Sequence, residues 1–199
     1  MPTPSTRSGV KTFDPVDVGR TECDGWAAYY RREWWRFLRA AVGMVDAGFG
    51  MGCRRTLAGA WHVLRANQVW APYPHNDSDA AREHMRRFYA LVFSEAHPSL
   101  DPIRAAALEV EWWRVHRLHQ HDEDVTEDAL TAALVALYSY VYQVRDAAVL
   151  AAARLRMQAM DCSDRWVGAG CSLDDPLLAE ERRLLVASYT ALRDAIDRI

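Results

Sequence analysis

The sequence predicts an all-α fold: a single-domain bundle of about seven helices with a central apolar helix. Three observations lead there. Helix caps and breakers recur at helix-length intervals, and between them apolar residues repeat with a period near 3.6 rather than 2. The stretch Tyr138-Ser139-Tyr140-Val141-Tyr142 alternates, but it lies inside the uncharged, Ala/Leu-rich run 129–144, which favours a helix.

Residues 1–20 carry Pro2, Pro4 and Pro15 without an apolar period, and read as a flexible tail ahead of one helical domain, 21–199. Thr21 or Asp24 can cap a first helix reaching Ala47. Its Trp26, Tyr30, Trp34, Phe37, Leu38, Ala41, Met44 and Val45 share one arc, with Arg32, Arg36 and Arg39 opposite. Gly48-Phe49-Gly50-Met51-Gly52 ends it. The second helix runs from Cys53 to Val69 and stops at Ala71-Pro72-Tyr73-Pro74. Asp77 or Ser78 caps the third, closed by His97-Pro98. Asp101-Pro102 opens the fourth, an Asp cap followed by proline at the first helical position, and it runs to His119.

Thr126 and Glu127 open the fifth, with Val125 and Leu130 placed as a hydrophobic staple. It is apolar nearly all round, the pattern of an enclosed helix. Near Arg145-Asp146 the chain kinks or restarts. An Ala-rich sixth helix ends at Gly168-Ala169-Gly170, and Asp175-Pro176 opens the last.

Composition narrows the function classes. The chain has 199 residues, half of them hydrophobic, and a net charge of −3, so no global basic field recruits nucleic acid. Lys11 is the only lysine; the other basic residues are arginines. The 16-residue uncharged run from Ala129 to Val144 is shorter than the ~18 apolar residues of a membrane span. Without an apolar stretch behind the first residues, and with Cys23, Cys53, Cys162 and Cys171 lacking any Cys-x-x-Cys spacing, a cytoplasmic protein with reduced thiols is expected.

Several chemistries lack their residues. There is no Gly-Lys-Ser/Thr of a P-loop, no Gly-x-Ser-x-Gly, no His-Glu-x-x-His and no Glu-x-x-His of a diiron bundle, so no metal site is expected. His121-Asp122 is similar to the pair used by metal-dependent phosphohydrolases, but it opens the acidic stretch Asp122-Glu123-Asp124, where solvation is the simpler role. Glu33-Trp34-Trp35-Arg36 and Glu111-Trp112-Trp113-Arg114 echo each other, yet their flanks do not match, as expected of coincidence in a Trp-rich chain.

Three places can carry ligand chemistry. Gly48 to Gly52 followed by Arg54 and Arg55 has the make-up of an anion cradle at a helix start, although arginines there oppose the helix dipole and a flexible turn whose arginines pair with acidic residues of another helix is the simpler account. The loop Trp70 to Asp77 presents Tyr73 between two prolines, for a ligand or simply to set an interhelix angle.

The fourth helix holds the richest set. Glu109 and His116 lie about 20° apart on the wheel and about 10 Å along the axis, with Trp112 and Trp113 between them. A carboxylate and an imidazole facing one apolar-walled space suit acid–base work; the competing role for Glu109 is a buried partner of an arginine. His116 and His119 diverge by about 60°, and Glu33 has Arg36 at i+3 as a surface partner. The expected function is therefore a soluble small-molecule-binding or protein-interaction module. Its tryptophans and tyrosines would line a pocket for an apolar or aromatic ligand, or form a homodimer interface. The alternative is an enzyme built on Glu109 and His116. No cofactor is legible.

Overall fold

The computed structural model describes residues 12–96, 99–122 and 124–198, which form eight α-helices and, among the described residues, no strand. They are α1 (Pro15–Tyr30), α2 (Trp34–Phe49), α3 (Cys53–Trp70), α4 (Ser78–Ala96), α5 (Pro102–His119), α6 (Glu127–Tyr142), α7 (Asp146–Gly168) and α8 (Pro176–Asp197). Residues 1–11 of the expected tail 1–20, the breaker His97-Pro98 and Glu123 of the acidic stretch lie outside the described residues.

The sequence places cap signals where helices begin. The carboxylate of Asp101 accepts from the Ile103 amide, that of Asp175 from Leu177, and the Thr126 hydroxyl from Ala129. A further such signal extends the fold upstream of the expected boundary at residue 21. Asp14 caps α1, with Pro15 at its first position, and Phe13 is buried. Residues 15–20 are therefore helix, not tail.

The expected first helix is two. α1 ends in a Schellman closure: the amide of Glu33 donates to the Ala28 carbonyl and that of Arg32 to Tyr29, with Arg32 left-handed at φ 59°. The chain reverses there, although apolar spacing continues across the break. Gln143 makes the same turn at the end of α6, so α7 restarts at Asp146.

Each helix packs against its neighbours in the chain, and α8 returns to pack on α1, closing a ring. This arrangement explains the burial along α6. Leu130, Leu134, Leu137, Tyr138 and Val141 are buried, whereas Ala129, Ala132 and Ala136 face outward. α6 is one stave of the ring rather than an enclosed central helix. Its outward residues are alanines, which look like core in a pattern but need no burial. The middle of the ring is occupied by side chains from all the helices, together with a cavity.

A smaller apolar cluster, around Trp166, Cys162, Cys23 and Leu185, joins α1, α7 and α8. All four cysteines are free. No helix among the described residues is long and apolar enough to cross a membrane.

Candidate functional site

The cavity inside the ring measures about 130 Å³, and every helix contributes to its wall. Its apolar lining includes Phe37, Ala41 and Met44 of α2, Phe88 of α4, and Leu137 and Val141 of α6. The lining also holds two carboxyl groups and a guanidinium, Glu22 of α1, Glu109 of α5 and Arg156 of α7, together with tyrosines and tryptophans.

Glu22 of α1 and Arg156 of α7 form a forked ion pair at this wall. Arg156 Nη2 donates to Glu22 Oε1, and Nη1 donates to Oε2 at 3.1 Å. The same Nη1 donates to the hydroxyls of Tyr189 (2.9 Å) and Tyr138 (3.2 Å); Tyr189 donates in turn to Glu22 Oε2 at 2.5 Å, and Trp26 Nε1 to Oε1 at 3.0 Å. The guanidinium also lies 5.1 Å from the centre of the Trp112 ring. Burial opposes charge on Arg156, but Glu22, with Tyr138, Tyr189 and Glu109 adding to it, outweighs that cost and holds the guanidinium firmly protonated.

Glu109 is held differently. Tyr89 donates its hydroxyl proton to Oε2 at 2.6 Å, and the indoles of Trp112 and Trp113 both donate to Oε1, at 3.1 and 3.2 Å. All three donors are neutral. The residue is half-buried and is part of the cavity lining. Burial pushes its carboxyl above the ordinary value, against the pull of the Tyr89 hydrogen bond and the Arg156 charge. It is not the direct partner of an arginine.

His116 does not share this space. It lies behind Trp112, its ring stacked on that indole at 6.4 Å between centres, and its Nε2 is 3.1 Å from Asp164 Oδ2 of α7. Asp164 also accepts from Gln120 at 2.6 Å. Two turns of helix separate His116 from Glu109, and that distance decides the matter: one reaches the cavity and the other is taken up between α5 and α7. His119 is turned toward Val125, its Nδ1 2.6 Å from that carbonyl oxygen. No group of three or more His, Cys, Asp or Glu side chains among the described residues is placed to hold a metal ion.

The remaining ligand candidates are dispersed. Trp112 and Trp113 line the cavity with Glu109. Tyr73 is half exposed on the outside, stacked on His121 at 4.4 Å with Arg117 near its ring. Arg54 is exposed, and Arg55 reaches α4, donating to the Leu91 carbonyl and the Ser94 hydroxyl. Gly50 and Gly52 adopt positive φ as a turn, and neither arginine reaches the cavity. Glu33 makes the expected surface pair with Arg36, at 2.9 Å.

Two features escaped the sequence reading. The Glu22–Arg156 pair has one sequence signal: Arg156 continues the buried series Val149, Ala152, Ala153 on α7, at steps of 3, 1 and 3, where a cation needs a partner. The other is Glu181 of α8, 1% exposed, in a small pocket with His116 and Arg156. Ser163 lies beside it, yet neither that hydroxyl nor Glu181 Oε2 makes a hydrogen bond of normal geometry. Burial, reinforced by the Glu22 charge, raises the Glu181 carboxyl to about 8.

No protein-family model, curated protein or solved structure gives a significant match to this chain.

Proposed function

We propose that this chain is a small-molecule-binding protein and that it encloses its ligand inside the helix ring. The observation that carries this reading is the cavity itself. Its volume is close to the ~150 Å³ of an apolar cavity known to accept benzene, and its wall combines apolar side chains with a few convergent polar groups. A core formed only for stability would close such a space, because each unfilled volume forfeits packing energy. The fit is to a compact, largely apolar or aromatic molecule of roughly six to eight non-hydrogen atoms with one polar end.

A second reading, catalysis, is favoured by one observation: Glu109 reaches the cavity with its carboxyl raised by burial, the condition of a general acid. In that reading the carboxylate acts without His116, and the pair Glu22–Arg156 orients the substrate.

The test is calorimetric titration of the protein with toluene and with benzyl alcohol, alongside the variant Ala41→Phe, which puts a larger side chain at a residue of the cavity lining. Saturable binding by the wild type that is lost in a folded Ala41→Phe supports the reading. No binding, or binding indifferent to Ala41→Phe, overturns it.

A further inference from the structure

The cavity contains an imbalance of charge. Its wall holds two carboxylates and a single cationic side chain, Arg156. Arg156 is committed to Glu22 through both terminal nitrogens and to two tyrosine hydroxyls besides. Glu109 is left with hydrogen bonds from Tyr89, Trp112 and Trp113, none of which brings a positive charge. Those three bonds leave part of its acceptor capacity unused, since a carboxylate offers about four lone-pair positions.

We infer that the molecule this cavity takes is a small organic cation, a protonated amine on an aromatic or aliphatic body, with its ammonium group at Glu109. The inference rests on the reading of the cavity as a ligand site and adds the ligand's charge.

Three considerations select a cation over the other choices. An anion would have to compete with Glu22 for Arg156 while standing beside Glu109. A neutral ligand would leave the second carboxylate without a countercharge away from bulk water, where an isolated ion is costly and the group takes up a proton instead. An ammonium group supplies the missing charge and donates to the unused acceptor sites of Glu109. The neighbouring rings of Trp112, Trp113, Tyr89 and Phe88 are also the surfaces to which organic cations are drawn.

An outer pocket that shares part of the cavity's lining has the matching character. Phe13, Thr21 and Phe49 line both the cavity and an outer pocket of about 600 Å³ between the start of α1 and the end of α2. That outer pocket presents Asp14, Asp17 and Asp46 against Arg20 and Arg193. Both arginines carry acidic partners: Arg193 pairs with Asp197 at 2.9 Å, and Arg20 lies 3.5 Å from Asp17. A cation in this adjoining pocket therefore meets a wall with an excess of carboxylates.

The experiment titrates three probes of nearly equal size, benzylamine, benzyl alcohol and benzoate, into the full chain at neutral pH, with wild type and Glu109→Gln. The inference expects benzylammonium to bind the wild type at least about tenfold more tightly than benzyl alcohol, with benzoate weakest. It also expects Glu109→Gln to bring amine and alcohol within about twofold of each other. Equal or tighter binding of the alcohol, or a preference for the amine that survives in Glu109→Gln, overturns the charge assignment and leaves the cavity reading standing. Absence of binding by all three probes overturns both. The wild-type comparison decides the question even where the variant fails to fold.

Discussion

Glu22 and Arg156, 134 residues apart, meet in the centre of the molecule as a forked ion pair, each side chain less than a tenth exposed. One belongs to α1 and the other to α7, the two helices that flank α8 in the ring, so the pair ties together two staves separated by a third, at the wall of the cavity. A buried ion pair is weak evidence of net stability, since desolvation consumes much of what attraction returns. Breaking it is another matter, because the survivor keeps its charge and loses its partner.

Glu22→Gln is expected to lower the unfolding free energy by about 3–5 kcal/mol, and Arg156→Met by a similar amount. The double variant is expected to recover much of the loss, because no unpaired charge remains. Urea unfolding of the four proteins gives the coupling directly. Losses below about 1 kcal/mol for both single variants would mean that the pair is not what joins the staves.

Glu181 makes stability depend on pH. Its carboxyl ionises near 4.5 in the unfolded chain and at about 8 in the folded one. Between those values the folded protein holds a proton that the unfolded chain has released, so unfolding becomes easier as pH rises. The contribution is fully present below about pH 4.5 and is lost as pH rises through about 8, at up to roughly 1.4 kcal/mol per pH unit. The measurement is the difference in stability between wild type and Glu181→Gln from pH 5 to 9. A difference that stays flat would remove Glu181 from the account.

Gly19 and Gly25 lie on the same helix and should answer oppositely to alanine. A β-carbon on Gly19 would stand 2.7 Å from the amide nitrogen and 2.9 Å from the α-carbon of Val186, where α1 crosses α8. Backbone cannot yield as a side chain does, so Gly19→Ala is expected to cost about 1–3 kcal/mol despite alanine's better helix propensity. At Gly25 the nearest atom outside the helix backbone would be the Ala40 β-carbon, at 3.7 Å. Gly25→Ala should therefore be neutral or stabilising by up to about 1 kcal/mol. Thermal unfolding of both variants checks the pair; equal effects would contradict the close crossing at Gly19.

How far the sequence showed all this depends on the range of the interaction. Caps are local, and Asp101-Pro102, Asp175-Pro176 and Thr126 announced three helices plainly. The break after Tyr30 was hidden because its left-handed residue is Arg32 rather than glycine. On α5 the helical wheel brought Glu109 together with Trp112 and Trp113, which are close along the axis. It misled for His116, because a wheel discards axial distance and shows nothing of Asp164 on another helix. The partner of Arg156 lay beyond sequence reasoning altogether: choosing Glu22 among the chain's 27 acidic residues requires the closed ring.

The ring itself is tested on α6. Leu134 has no exposed surface and points to the middle of the molecule, whereas Ala136, two residues on, faces outward. Leu134→Asp would bury an unpaired charge at a cost of several kcal/mol, against a total stability of about 5–15 kcal/mol for a protein of this kind, and is expected to unfold the chain. Ala136→Asp places the same charge in solvent and should cost within about 1 kcal/mol, mostly in helix propensity. Circular dichroism and urea unfolding of the two variants separate the architectures. In a bundle with α6 enclosed at its centre, both substitutions are destructive. In a ring with α6 as a stave, only the inward one is. A folded Leu134→Asp would contradict both and leave the inward face of α6 without its role in the core.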